Sequence, residues 1–250
     1  MLSKDCTQEE LEALCGEKAT FGFDIEKLRD WYETIVTPLP PVFPGREGFW
    51  GGWGIWTDSG RWEDGFAQGR RSSIETGFDK VQPSAPGFRN SHGQRVPTSI
   101  FTGYITEVMD TIWDLNLSPS RVRVAMLKPG GGTTDWHRDI DGDIYMARLH
   151  IPIYTNDRCK FCIMNEQTGT EYKKHFPADG SAYFVSTNLV HRAYNGGDEP
   201  RVHIIMDILD PIVSTHHSYP AFIKRCLTHR IVPRPGRRRP GQQYRTDDGA

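Results

Sequence analysis

The sequence predicts a mainly β fold with flanking helices, an antiparallel barrel or jelly roll, and three observations predict it. Beyond Ser118, short β-rich runs succeed one another with no helical stretch between them. Gly, Asn and Asp punctuate those runs at turn-like intervals. Before Ser118, helical periodicity is confined to residues 7–36 and 97–117, so helices flank the sheet rather than alternate with strands.

Residues 7–36 read as helical: "TQEELEALCGEK" opens with Thr7 and Glu10 in the capping-box spacing, and "DIEKLRDWYETIV" places apolar residues at helical intervals. These helices are expected outside the core sheet. From Pro38 to Gly103 the texture loosens into Gly, Pro and aromatics, and "FWGGWGIWTDSGRW" holds four tryptophans within thirteen positions. Hairpins and long loops are expected there, the aromatic segment from Phe49 to Trp62 serving as a core cluster or as a lid or pocket wall. "PTSIFTGYITEVMDTIWDLNL" predicts a helix with Pro97 at its start and Ile105, Val108, Met109, Ile112 and Trp113 on one apolar face. The strand runs are "RVRVAML", "MARLHIPIY", "KFCIM", "SAYFV", "HRAYN" and "RVHIIMDIL". "NGG" at 195–197 reads as a hairpin turn whose glycines permit positive φ, which would put the strands before and after it side by side. The tail "IVPRPGRRRPGQQYRTDDGA" lacks apolar periodicity, and no internal repeat is visible.

At 250 residues the chain suits one large domain, expected over 1–232, with a helical and aromatic-rich part over 1–117, a β core over about 118–212 and a basic tail over 233–250. Charged residues make up 25% and the formal net charge is −2, so overall charge favours neither polyanions nor anionic membranes. The ligand is expected to be small or local. No apolar stretch approaches the ~18 residues of a membrane span, and "MLSKDCTQEELEAL" is too acidic and polar for a leader, so the chain is expected to be soluble and cytoplasmic. Five scattered cysteines suit reduced thiols. Cys159 and Cys162 form an isolated C-x-x-C whose members point to opposite faces if the segment is a strand. "PRPGRRR" has four arginines and no interleaved aromatics, the signature of a solvated tail more than of a nucleic-acid contact.

The chemistry concentrates in "MLKPGGGTTDWHRDIDGDIYMARLHIPIYTN". Strand alternation puts His137 and Asp139 on one side, about 7 Å apart along the chain, close enough to share a cation. His191, in "TNLVHRAYNGG", is the candidate third ligand, because an antiparallel barrel brings distant strands together. Two histidines and a carboxylate on one face of a metal, with the remaining positions open, is the arrangement of non-haem Fe(II) oxygenases. His92, His175, His216, His217 and His229 lack such company and read as surface or structural.

In "PRVHIIMDIL", Arg201, His203 and Ile205 share one face and Val202, Ile204 and Met206 the other. An arginine opposite a core face is either exposed in a surface ion pair or buried with an anion, since a buried unpaired charge is strongly unfavourable. A guanidinium matches a carboxylate with two parallel N–H donors. Arg148 and His150 likewise share a face in "MARLHIPIY", opposite Leu149, Ile151 and Ile153, and are candidates for the lining of the same pocket.

Taken as an ordered set from Pro97 to Asp207, "RVRVAMLKPGG…WHRD…RLHIPIYTN…H…RVHIIMD" resembles the aspartyl/asparaginyl β-hydroxylase family of Fe(II)- and 2-oxoglutarate-dependent oxygenases. The resemblance implies a double-stranded β-helix, the cupin-like jelly roll, with iron on His137, Asp139 and His191. It implies Arg201 on the distal carboxylate of 2-oxoglutarate, with Arg148 and His150 as supporting co-substrate or substrate contacts. Some members have glycine in place of the carboxylate ligand; here Asp139 is present, which argues for hydroxylation rather than halogenation. The implied reaction couples decarboxylation of 2-oxoglutarate by O2, giving succinate and CO2, to hydroxylation of a C–H bond. An amino acid, aminoacyl group or peptide is the expected substrate, with Arg70, Arg71, Arg89 and Arg123 as possible anchors. Two other readings use the same residues: a cupin-like hydrolase or isomerase with zinc on His137, Asp139 and His191, and a cupin-like domain that binds a ligand without catalysis.

Overall fold

Thr7 caps the first helix in the computed structural model: its Oγ1 accepts from the Glu10 N–H at 3.2 Å while the Thr7 N–H donates to Glu10 Oε2 at 2.8 Å. The structure describes residues 7–43, 50–57, 59–66, 71–73, 96–115, 117, 119–139, 146–187 and 189–209. Helix α1 (Gln8–Leu14) buries Leu11 and Leu14 and then stops. A Cβ at Gly16 would sit 2.3 Å from the Phe176 ring, so only glycine lets the chain pass there.

The next element is a strand, not the helix expected across residues 7–36. Glu17–Gly22 forms β1, an edge strand in which Ala19 is buried and its neighbours Lys18 and Thr20 are exposed, a period of two. Pairing with a β-sheet edge overrides the helical tendency of the flanking segments. Helix α2 (Ile25–Trp31) resumes after Asp24, whose side chain accepts from Glu26 and Lys27 N–H, and a π-helical turn over Tyr32–Val36 extends it.

The tryptophan-rich segment supplies β2 (Trp50–Gly54), β3 (Trp56–Thr57) and a 3-10 turn over Trp62–Phe66. Trp53 meets Tyr32 edge to face at 6.0 Å, and Trp56 meets Phe101 at 5.0 Å and Trp113 at 5.7 Å. Trp53 and Trp56 are therefore core. Strand β4 (Arg71–Ser73) comes next. Pro97 does not start a helix: with Val96 it forms β5, opposite Trp56, a two-residue pair that tolerates a residue lacking an N–H. Helix α3 (Tyr104–Asp114) begins seven residues later, after Gly103 at φ +68°, and buries the expected Ile105, Val108, Met109 and Ile112.

The barrel strands are β6 (Pro119–Leu127), β7 (Gly132–Thr133), β8 (His137–Asp139), β9 (Met146–Tyr154), β10 (Cys159–Met164), β11 (Glu171–Lys174), β12 (Ser181–Ser186), β13 (His191–Asn195) and β14 (Arg201–Leu209). With β1, β2 and β4 they form two six-stranded sheets, one in the order β1-β12-β9-β14-β6-β2 and the other in the order β11-β10-β13-β8-β4 with β7 branching from β13. All pairings are antiparallel, and from β8 onward the chain steps repeatedly between the two sheets. That is the double-stranded β-helix, a mainly β jelly roll with flanking helices.

This topology corrects the reading of "NGG". Strands β13 and β14 lie in different sheets, so residues 195–200 cross from one to the other instead of closing a hairpin. Neither Gly196 nor Gly197 adopts positive φ; a Cβ at Gly197 would lie 2.2 Å from Asn156 Nδ2, so close approach is the reason for glycine. Asn195, fully buried, donates to the carbonyls of Leu127, Lys128 and Glu199 and ties the crossing to the end of β6.

The sheet that contains β9 and β14 has two unlike faces. Leu149, Ile151, Ile153, Val202, Ile204, Met206 and Ile208 join Leu11, Leu28, Trp31, Ile105 and Met109 of the helices in one hydrophobic cluster. Each such side chain contributes about 1.5–3 kcal/mol on burial. The opposite face, turned into the barrel, carries Arg148, His150, Arg201, His203 and Asp207, all buried. The basic tail over 233–250 and the expected domain end at 232 lie outside the described residues.

Candidate metal centre

Strands β8 and β13 pair so that His137 stands directly opposite His191, with ring centroids 4.3 Å apart. The two Nδ1 atoms are 2.9 Å from backbone carbonyls, His137 from Asp135 and His191 from Leu189. A carbonyl only accepts, so each Nδ1 carries the proton and each Nε2 is left with a lone pair. Asp135 has φ +56°, a left-handed conformation that aspartate tolerates, at the turn into β8. Alternation along β8 then brings Asp139 round to the same side. Asp139 Oδ1 is 3.8 Å from His137 Nε2, and Oδ2 is 3.9 Å from His191 Nε2.

One ligand atom from each of these three residues lies within 4.8 Å of the other two, and among the described residues this is the cluster able to hold a metal ion. An ion with bonds of about 2.1 Å and right-angle geometry spaces its ligand atoms by about 3 Å, so modest rotation of three side chains suffices. The protonation states also suit a cation. Burial, reinforced by His137, drives His191 down to about 3, leaving a neutral imidazole. Burial alone would raise the Asp139 carboxyl, but Arg148, with His137 and His191, outweighs it and holds the group well below the usual carboxylate range.

Arg201 is 3% exposed, and no carboxylate pairs with it among the described residues. Its Nη2 donates instead to His203 Nδ1 at 3.0 Å. Burial lowers its pKa to about 10, so the guanidinium is charged at neutral pH. His203 Nδ1 lies 3.3 Å from His150 Nδ1, and the Nε2 atoms of both rings are buried without a hydrogen-bond partner. Burial, then the charge of Arg201, lowers the pKa of both imidazoles. Phe161 links the two ends of this interior, stacking on His191 at 5.5 Å and meeting His150 at 5.6 Å.

Arg148 is engaged elsewhere. Its Nη2 lies 2.5 Å from Asp139 Oδ2 and its Nε donates to Asp207 Oδ1 at 2.8 Å. Arg121 closes on the other oxygen of Asp207. Asp207 and Arg121 belong to this interior although sequence reading gave them no such place, and Arg123, named there as a possible substrate anchor, is buried with them. The signal was present: the alternation that puts Arg201 and His203 inward continues to Asp207, and a buried aspartate on such a strand requires cationic partners.

The remaining candidates separate cleanly. His175 is half-buried, with Nδ1 3.1 Å from the Cys159 carbonyl, a structural role. His92, His216, His217, His229, Arg70 and Arg89 lie outside the described residues, while Arg71 is registered opposite Asp139 in β4. Cys159 and Cys162 are both buried; Cys159 donates to Asn195 Oδ1, and burial pushes the Cys162 thiol up to about 11.

Among solved structures, a 2OG-Fe(II) oxygenase family oxidoreductase from Burkholderia pseudomallei aligns at 15% identity and TM-score 0.44, over 80% of this chain and 88% of that one. A Pseudomonas putida prolyl-4-hydroxylase aligns at 12% identity and TM-score 0.41, over 80% and 95%. EvdMO1 aligns at 16% identity and TM-score 0.32 over 38% of this chain, which spans only 28% of that protein's length. No curated protein sequence matches the chain. Residues 92–211, which contain all three candidate ligands and Arg201, match the family described as Aspartyl/Asparaginyl beta-hydroxylase.

Proposed function

We propose that the chain is an Fe(II)- and 2-oxoglutarate-dependent dioxygenase that hydroxylates an unactivated C–H bond of an amino acid, aminoacyl or peptide substrate. The match of residues 92–211 to a hydroxylase family supports an oxygenase. The observation that carries the fuller reading is that a buried, charged Arg201 without an acidic partner shares one interior with the His137, Asp139 and His191 cluster. A buried cation of that kind calls for an anion from outside. A keto diacid supplies one carboxylate for Arg201 and a chelating keto-acid end for the metal.

The three ligand residues would hold Fe(II) through His137 Nε2, His191 Nε2 and an Asp139 oxygen. Bound together, the iron, 2-oxoglutarate and O2 supply the oxidising equivalent that hydroxylates carbon. The protein's own part is positional. The carbonyls of Asp135 and Leu189 fix the tautomers and ring planes of the two histidines. Arg201 is held ready by His203, and the unpartnered Nε2 atoms of His150 and His203 offer further polar contacts. Phe161 and Phe176 wall the interior against water. A zinc hydrolase, or a binding domain without catalysis, would use the three ligands but give Arg201 no task.

Incubation of the purified protein with Fe(II), ascorbate, 2-oxoglutarate and a library of amino acids and peptides tests the proposal. Succinate release and one library member heavier by one oxygen atom are the expected products. Absence of 2-oxoglutarate consumption across the library, with iron bound, refutes it.

A further inference from the structure

Arg121, Asp207, Arg148 and Asp139 form an unbroken chain of alternating charge. Asp207 is gripped from two sides, by Arg121 on one oxygen and by Arg148 Nε at 2.8 Å on the other, and Arg148 reaches on to Asp139 Oδ2 at 2.5 Å. The sheet builds this arrangement. Arg148 and Asp207 are registered partners between β9 and β14. Between β14 and β6 the register shifts from Ile205 to Asp207, where Arg121 adopts φ +48°, and this irregularity turns a second arginine onto the same carboxylate. Arg121, Arg148 and Asp207 are each less than 9% exposed.

We propose that this relay holds Asp139 as a one-oxygen metal ligand, so that Arg148 is a positioning residue of the metal centre and not a contact of the co-substrate. Stability alone does not explain a buried row of four charges, because apolar side chains of similar volume stabilise a core as well or better. Orientation does explain it. Oδ2, 3.9 Å from His191 Nε2, is ion-paired with a guanidinium anchored at its other edge by Asp207, which leaves Oδ1, 3.8 Å from His137 Nε2, as the oxygen Asp139 would offer an ion. A planar fork spanning two carboxylates fixes rotation about both side chains, which a lysine ammonium does not.

The inference rests on the metal-binding half of the proposed function and not on its co-substrate. Its test is calorimetric titration of metal-free wild type, Arg148→Lys and Asp207→Asn with Mn(II), then 2-oxoglutarate titration of each Mn(II)-saturated protein. Both variants should bind Mn(II) about 10–100-fold more weakly, the range typical when a partner of a metal ligand is removed, and 2-oxoglutarate affinity should stay within about threefold of wild type. The visible spectrum of the Co(II)-loaded variants should differ from that of wild type, which a purely structural role does not produce. Asp207→Asn leaves the Arg148 guanidinium in place, so the test survives if Arg148→Lys fails to fold. Unchanged Mn(II) affinity, or a loss confined to 2-oxoglutarate, overturns the inference. Wild type that binds Mn(II) but not 2-oxoglutarate overturns the proposed function and leaves the inference standing, whereas wild type that binds no metal overturns both.

Discussion

His137 on β8 and His191 on β13 are registered partners across an antiparallel pair, each with Nδ1 2.9 Å from a backbone carbonyl two residues before it. The same local hydrogen bond, made twice, leaves two Nε2 lone pairs facing a common space. A bound ion stabilises the fold by mass action, by about 2.7 kcal/mol at a hundredfold excess over Kd. Wild type should therefore melt at higher temperature when Mn(II) is added, and His191→Ala should lose that increment. An equal metal-induced rise in His191→Ala would place the ion elsewhere.

Arg201 is buried beside His203 without an acidic partner among the described residues. Truncating one partner of a buried charged contact costs about 2–5 kcal/mol. Arg201→Ala should thus weaken 2-oxoglutarate binding by at least about thirtyfold while Mn(II) affinity is retained. Isothermal titration of both ligands decides it, and unchanged 2-oxoglutarate affinity contradicts the assignment.

Three buried imidazoles set the pH response of the metal-free fold. Burial holds His150 and His203 well below 6.5 and His191 at about 3, whereas in the unfolded chain each takes up a proton near pH 6.5. Below that pH the unfolded state binds more protons, so stability falls as pH drops, by up to about 1.4 kcal/mol per pH unit for each histidine. Asp139 and Asp207, whose carboxyls are depressed in the fold, add to the loss below about pH 4. Melting temperature in chelator should decline steadily from about pH 7 to about pH 5; a flat or rising profile contradicts neutral burial.

Asn195 joins the crossing between the two sheets to the end of β6 through three donated hydrogen bonds. Asn195→Ala leaves buried carbonyls unpaired and should destabilise by about 2–3 kcal/mol, lowering Tm by roughly 5–10 °C. A melting point unchanged from wild type would show that water replaces the amide.

Much of the fold and site was legible in the sequence because a jelly-roll strand writes its two faces alternately. The split of "RVHIIMDIL" into Arg201 and His203 against Val202, Ile204 and Met206 is the split between barrel interior and helix-covered face. The juxtaposition of His137, Asp139 and His191 came from the same periodicity plus one assumed long-range pairing, which β8 and β13 make. The features that were not legible depended on tertiary neighbours. Glu17–Gly22 becomes a strand only because β12 offers an edge, and Pro97 joins β5 because Trp56 lies opposite. "NGG" carries the composition of a hairpin, yet the need at Gly197 is clearance from Asn156. The engagement of Arg148 with Asp139 required the positions of Asp207 and Arg121, set by a register shift that no local pattern announces.

Whether the three ligands and Arg201 grip one metal and one keto acid together is decided by an anomalous-difference map from a crystal grown with Mn(II) and 2-oxoglutarate. One strong peak is expected, bonded to His137 Nε2, His191 Nε2 and Asp139, with the keto acid chelating it and its distal carboxylate on Arg201. A peak away from these three side chains, or a keto acid that leaves Arg201 unengaged, contradicts the proposed function.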